Sequence, residues 1–168
     1  MVDTPSVYRI IREEINVEEI IIKWVKPHFE DEEDEFMNFL SWYGDIILQV
    51  NLDSISEKDY YQHLSDIEWS YFNAKIEVLT DEEWSQMGNT DSWELSTEED
   101  IYRIIGHYGR SKERILKHSL EPIRNGGVVE APIVAYTENY PPYLIAGNTR
   151  LSACKVLGIT PMVTKIYL

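Results

Sequence analysis

The residues best suited to hold a ligand lie in one short stretch, LIAGNTRLSACKVLG, at positions 144 to 158. An apolar strand ends at Gly147, and an apolar helix starts directly after it. The first backbone N–H groups of a helix have no partners inside it, and the helix dipole favours an anion there. Gly147 has no Cβ to obstruct a phosphate, and the guanidinium of Arg150 matches phosphate oxygens. The spacing therefore predicts an anion site; the alternative is that Asn148 and Thr149 cap the helix and Arg150 is solvated.

The elements that must position this turn form a mixed pattern over the rear half of the chain. Alternating or apolar runs predict strands at 74–80, 131–136, 143–146 and 161–168. Helical spacing and capping residues predict helices after a Ser96/Glu99 capping box, over 111–124 before Asn125 to Gly127, and from the turn to Leu157 before Gly158. Residues 81–95 are expected to form an ordered loop with a helical turn. This half is predicted to be a small mixed sheet with packed helices.

The front half is predicted to be helical. Four helices are expected: one through Ile10, Ile11 and Ile15, one from an Asn16/Glu19 cap to Pro27, one starting in EDEEDEF at 30–36, and one after Ser56 and Asp59. We interpret the carboxylate run as a solvated helix start, because consecutive carboxylates point all round a helix and form no metal site. DIILQVNL at 45–52 is open between strand and buried helix. The predicted organisation is α+β, with an acidic helical region at 1–72 and a second domain at 73–168.

Charge is distributed unevenly along the 168 residues, whose formal net charge is −15. Residues 1–70 hold 5 Lys/Arg against 17 Asp/Glu, whereas residues 101–168 hold 9 Lys/Arg against 4 Asp/Glu. The acidic front repels phosphate backbones and the basic rear attracts phosphates. The single cysteine, Cys154, excludes an internal disulfide and is expected in the core. Neither a membrane span nor a signal peptide is recognisable, which predicts the cytoplasm as the compartment.

The segment from residue 143 to the end resembles the ParB/sulfiredoxin superfamily. The marker of that superfamily is a Gly-x-x-Arg-x-x-Ala turn between a strand and a helix, and Gly147, Arg150 and Ala153 stand at its positions. Upstream, GVVEAPIVAY is similar to the strand motif of the family, with one extra residue before Pro132. The resemblance covers about residues 74–168 and implies that superfamily's fold for this part of the chain.

In that superfamily the turn binds nucleotide phosphates. The resemblance therefore implies an NTP ligand, ATP or CTP, accompanied by Mg²⁺, and these phosphate-binding residues: Gly147, Asn148, Thr149 and Arg150. Sulfiredoxins carry their catalytic cysteine where this chain has Asn148, so we expect no sulfiredoxin chemistry. Partition proteins carry Glu and Arg at the positions of Asn148 and Thr149 and continue into a DNA-reading domain, whereas this chain ends at the last strand. We therefore expect neither chromosome partition nor sequence-specific DNA binding.

Phosphoryl transfer or phosphodiester cleavage needs a carboxylate or histidine near the phosphates. In the layout of the family, Glu130 lies beside the turn and is the candidate catalytic residue. His118 and Glu121 lie three apart on one helical face, where a surface pair is the simpler interpretation. Four basic residues of the same region are interpreted as a solvated face, because no aromatic residues interleave with them to stack bases: Arg110, Lys112, Arg114 and Lys117.

Two functions stay open at this point. The first is a nucleotide-binding protein of ParB/sulfiredoxin type, either without catalysis or with NTPase, phosphotransferase or nuclease activity. The alternative is a non-enzymatic interaction or inhibitor protein of the phage accessory type, in which the acidic front region docks on a basic surface of a host protein. Titration with NTPs distinguishes the two.

Overall fold

The computed structural model describes residues 6–12, 17–27, 39, 56–107 and 109–168. In these ranges the protein is a mixed α+β fold with five helices and two small sheets, which confirms the predicted class. The strands are β1 (Ser6–Arg12), β2 (Val17–Val25), β3 (Lys75–Val78), β4 (Val128–Glu130), β5 (Ile133–Tyr136), β6 (Tyr143–Ala146) and β7 (Met162–Tyr167). The helices are α1 (Glu57–Phe72), α2 (Asp81–Gln86), α3 (Glu98–His107), α4 (Lys112–Ile115, a π turn at Leu116–Leu120, then Glu121–Arg124) and α5 (Asn148–Leu157).

The larger sheet has the order β3-β7-β5-β6 and carries helices on both faces. Its inner strands β5 and β7 run parallel, and the outer strands β3 and β6 pair antiparallel with them. Side chains alternate between two cores, since Ile133 and Ala135 of β5 pack with Ile67 and Tyr71 of α1 while Val134 packs on the opposite face. Both faces of the central strands are thus covered, and β5 and β7 are apolar and buried over most of their length.

The second sheet has the order β1-β2-β4, and its first two strands correct the prediction of helices in the front region. Residues 6–12 and 17–25 form an antiparallel pair, with Ser6 opposite Lys23 and Arg12 opposite Val17. Ile22 and Trp24 are fully buried whereas Ile21 and Lys23 are exposed, which is the period of two expected for a strand. The helical prediction was wrong because the isoleucine-rich run was matched to helical spacing, although β-branched residues favour strands.

Elements on either side of the predicted boundary at residue 72 are joined by hydrogen bonds. Strand β2 runs parallel to β4, with Lys23 opposite Val128 and the amide of Ala131 donating to the carbonyl of Val25 at 2.7 Å. The front hairpin therefore extends the sheet that carries Glu130. Within the front region itself, the hydroxyl of Tyr71, near the end of α1, donates to the Pro27 carbonyl. The sequence-predicted features at 30–36 and 45–52 lie outside the described residues.

Local sequence explains where several helices begin and end. Ser56 caps α1 through the amide of Asp59 at 3.2 Å, as predicted. Helix α3 is capped one residue later than predicted: Thr97 Oγ1 accepts from the Asp100 amide, and the Asp100 carboxylate accepts from the Thr97 amide. The π turn in α4 precedes Pro122, which has no N–H for a carbonyl four residues earlier. None of the helices in the described ranges is long and apolar enough to cross a membrane.

Candidate functional site

Helix α5 starts at a glycine whose conformation is fixed by its neighbours. Gly147 has φ 106° and ψ 24°, which L side chains rarely adopt, and it precedes the first helical residue without a side-chain cap. A Cβ at this position would lie 2.5 Å from Cβ and 2.8 Å from Cα of Pro132, a buried residue at the start of β5. The structure therefore requires glycine for packing against Pro132, a reason independent of any phosphate.

Arg150 and Glu130, both singled out from the sequence, lie side by side. Arg150 Nη1 donates to the backbone carbonyl of Glu130 at 2.8 Å and lies 3.8 Å from its carboxylate. The side chain of Arg150 is 14% exposed, whereas that of Glu130 is 48% exposed. The backbone contact holds the guanidinium near the first turn of α5, while the long ion pair to a half-exposed carboxylate is worth about 0–1 kcal/mol.

Asn148 and Thr149 do not cap the helix through their side chains; they bind neighbouring segments. Asn148 Oδ1 accepts from Thr90 Oγ1 at 2.5 Å, and Thr149 Oγ1 accepts from Arg110 Nη1 at 3.2 Å. Thr90 is hydrogen bonded in turn to Ser92, whose hydroxyl accepts from the buried indole of Trp84 at 2.8 Å. The turn is thus bound to the segment between α2 and α3 and to Arg110, two residues before α4.

A cavity of about 500 Å³ lies on one side of the start of α5, and we call it the basic cavity. Its charged or ionisable lining residues are Arg110, Arg114, Lys117, His118, Arg150 and Glu130. Gly147 and Thr149 complete its wall at the turn. Among the described residues, four basic side chains thus line the cavity with one carboxylate, in addition to the positive end of the α5 dipole. The arrangement can bind a multiply charged anion.

A second cavity of about 630 Å³ lies on the other side of the turn, and we call it the polar cavity. Its wall consists of the segment Gly88 to Asp91, Ile105, Arg110 and the run from Tyr143 to Thr149. The segment is held in place by Asn89, which donates to the Leu144 carbonyl at 2.7 Å and accepts from the Leu144 amide at 3.0 Å. Asn89 therefore pairs with the edge strand β6 as another strand would.

The structure brings together some of the residues selected from the sequence and separates others. His118 lines the basic cavity, but no hydrogen bond or ion pair joins it to Glu121 within the described residues. Lys112 points elsewhere, with Nζ 4.6 Å from the ring centroid of Tyr102. Cys154 is fully buried in the core, as expected, and burial raises the pKa of its thiol.

Sequence reasoning missed the segment 88–91 and the double role of Arg110, which lines both cavities and binds Thr149. The polar contacts involved join residues 39 to 58 positions apart. Asn89 and Thr90 lie in a polar loop, where such residues are common. No local pattern indicates which distant strand or turn they bind.

Within the described residues, no group of three or more His, Cys, Asp or Glu side chains could hold a metal ion. Comparison with known proteins adds no family to this geometry: neither a family model, nor a curated protein, nor a solved structure matches the chain.

Proposed function

We propose that this protein binds the phosphates of a small nucleotide, an NTP such as ATP or CTP, in the basic cavity at the start of α5. The observation that carries the proposal is the charge of that cavity. Arg110, Arg114, Lys117 and Arg150 line it, and among the described residues Glu130 is the one carboxylate beside them, in a chain whose formal net charge is −15. Such a local excess of positive charge attracts anions.

The geometry of Arg150 is compatible with this ligand. Its Nη1 donates to the Glu130 carbonyl at 2.8 Å, and Arg150 lines the cavity together with Gly147 and Thr149. The Glu130 carboxylate at 3.8 Å is half exposed and can turn toward solvent when a phosphate with more charge arrives. We propose that this carboxylate competes with a metal-free phosphate ligand for Arg150 and turns to Mg²⁺ when the ligand brings the ion.

The resemblance of Gly147, Arg150 and Ala153 to the ParB/sulfiredoxin marker supports the same ligand, and we propose a ParB/sulfiredoxin-like fold for residues 74–168. Mg²⁺ fits this site together with the phosphates, because it is commonly bound by one or two carboxylates plus phosphate oxygens and Glu130 is the carboxylate available. Glu130 is then the candidate catalytic residue for hydrolysis or phosphoryl transfer. Release of inorganic phosphate from ATP and CTP, compared between the wild type and Glu130→Gln, tests that activity.

Calorimetric titration with MgATP and MgCTP tests the binding proposal. Arg114→Gln and Lys117→Gln remove exposed cations that make no hydrogen bond or ion pair within the described residues, so the fold should persist. Each should weaken binding about two- to fivefold, the equivalent of about 0.5–1 kcal/mol for a partly exposed charge pair. Lys112→Gln is the matched control, since Lys112 lies on the same helix and is exposed but does not line the cavity.

Binding by the wild type, weakened in the two cavity variants and unchanged in the control, supports the proposal. Equal weakening in all three variants indicates only the general charge of α4 and contradicts a defined site. Absence of binding at about millimolar NTP, an affinity near −4 kcal/mol, also refutes it.

A second candidate function is supported by one face of α1. Trp69 and Phe72 are 66% and 67% exposed there, next to the exposed acids Asp66 and Glu68. Exposed aromatic residues beside carboxylates are suited to a basic protein surface, because aromatic residues contribute much of the energy of protein interfaces. We keep docking on a basic host protein as the alternative, which gains support if no nucleotide binds.

A further inference from the structure

The two cavities on either side of the α5 start differ in chemistry. The basic cavity presents several cations, whereas among the described residues the polar cavity has Arg110 as its one cation and Asp91 as its one carboxylate. Around Asp91 the polar cavity offers neutral hydrogen-bonding groups and apolar walls, the latter from residues such as Ile105 and Leu144. A lining of this kind is typical of a site for an uncharged organic group, and its volume is within the usual range for such sites.

The cavities meet at the same residues. Gly147, Thr149 and Arg110 line both of them. A ligand whose phosphates contact the start of α5 in the basic cavity therefore has the polar cavity as its neighbour across these three residues. The opposite orientation would place phosphate oxygens beside the Asp91 carboxylate and is disfavoured by charge repulsion.

Asp91 and Asn148 offer an acceptor and a donor to the polar cavity. The Asp91 side chain makes no hydrogen bond or ion pair within the described residues, although Asp91 precedes a short 3₁₀ turn that it could have capped. The bond from Thr90 to Asn148 Oδ1 fixes that amide, and its Nδ2 makes no hydrogen bond within the described residues. Carboxylate and amide N–H groups complement the hydroxyl, amino and carbonyl groups of a nucleoside.

We infer that the polar cavity holds the nucleoside of the ligand, with Asp91 accepting hydrogen bonds from its hydroxyl or amino groups and Asn148 Nδ2 donating to it. This inference rests on the proposed function, because it assigns the second half of the same ligand. It adds a specificity-determining residue, Asp91, outside the strand-turn-helix segment.

The test compares inorganic tripolyphosphate with ATP and CTP by calorimetry on the full chain at constant ionic strength. Tripolyphosphate has more negative charge than an NTP, so charge alone predicts that it binds more tightly. We expect the NTP to bind about tenfold more tightly, because only the NTP fills the polar cavity. Asp91→Ala should weaken NTP binding about three- to tenfold. Tripolyphosphate binding should be unchanged or tighter, since a negative charge is removed. Asp59→Ala, an exposed aspartate on α1 outside both cavities, should alter neither.

The outcomes separate the two proposals. If tripolyphosphate binds as tightly as the NTP, or if Asp91→Ala tightens both ligands, the nucleoside assignment is overturned and the phosphate site stands. If Asp91→Ala leaves the wild-type preference for the NTP unchanged, the role of Asp91 is overturned. If neither ligand binds, the proposed function fails and the assignment falls with it.

Discussion

Replacing Gly147 by alanine tests the steric role assigned to the turn between β6 and α5. The new methyl group would meet Pro132 at 2.5 Å from Cβ, 2.8 Å from Cα and 2.9 Å from Cγ. The first two atoms belong to a rigid ring and to the backbone, and Pro132 is buried. Neither atom can move aside as the end of a flexible side chain could, so β5 and the start of α5 must separate.

Two contributions set the size of the effect. A left-handed backbone conformation costs a non-glycine residue about 1–2 kcal/mol. Overpacking a buried contact costs about 1–3 kcal/mol. The expected loss for Gly147→Ala is therefore about 2–5 kcal/mol, a large share of the about 5–15 kcal/mol that keeps a domain folded.

Gly158 provides the matched control, because it also has a positive φ, 67°, but among the described residues no heavy atom beyond its adjacent backbone lies within 4 Å of the position that a Cβ would take there. Gly158→Ala should cost only the backbone contribution of about 1–2 kcal/mol. Urea unfolding followed by tryptophan fluorescence measures both variants. With a slope of about 2 kcal/mol per molar urea, the midpoint should fall by about 1–2.5 M for Gly147→Ala and by less than about 1 M for Gly158→Ala.

Equal losses in the two variants would refute the steric account, because they would show that contact with Pro132 contributes nothing beyond the backbone conformation. A small loss in Gly147→Ala combined with lost NTP binding would indicate that glycine is required for the ligand. A large loss of stability, by contrast, is the result expected from packing.

Three further changes have expected results. Glu130→Gln removes the one carboxylate that the described residues place in the basic cavity. It should tighten binding of metal-free tripolyphosphate about two- to fivefold in calorimetry, and weaker binding would contradict the competition proposed here. Lys165→Met leaves Glu83, 3.1 Å from Lys165 Nζ, without its cation and should cost about 1–3 kcal/mol in urea unfolding at pH 7. Burial raises the pKa of Glu83, but hydrogen bonds from neighbours including Lys165 outweigh burial and lower the pKa below its ordinary 4.5. Because protonated Glu83 no longer needs a cation, the stability lost in Lys165→Met should shrink as the pH falls below 4.5. A loss of stability that does not depend on pH would contradict the pairing. Asn89→Ala should cost about 1–2 kcal/mol and speed hydrogen exchange at the Leu144 amide, whereas unchanged exchange would show that Asn89 does not hold β6.

Much of the rear half could be predicted because its signals are local. Gly158 ends α5 with φ 67°, as a glycine after a helix commonly does. The strands at Ile133–Tyr136 and Tyr143–Ala146 are short apolar runs bounded by proline or glycine. Gly147 likewise predicted where β6 ends and α5 begins. The residues at the ends of such segments are enough to predict where each segment begins and ends.

The front hairpin could not be assigned from spacing alone, since isoleucines close together in sequence fit a helical and a strand pattern equally. The pairing of β2 with distant strands decides between helix and strand. β2 is placed between β1 and β4, and Trp24 enters a core formed mainly by residues beyond position 75. The β-branched content of 20–22 was the available signal, and it favoured the strand.

The net charge of the chain bears on the size of the anion that the basic cavity accepts. A nucleic acid must bring many phosphates within about 10 Å of a surface that is acidic overall, and each phosphate beyond the cavity meets repulsion. Under the proposed function, a single nucleotide would place its phosphate charge inside the cavity, which Arg110, Arg114, Lys117 and Arg150 line, while salt screens the acidic groups outside it. The contrast between a positive cavity and a net charge of −15 therefore favours a small phosphate ligand over a polymer. Raising the salt concentration should weaken NTP binding, because screening reduces the attraction inside the cavity. It should also reduce the preference for a nucleotide over a nucleic acid, because screening reduces the repulsion outside the cavity.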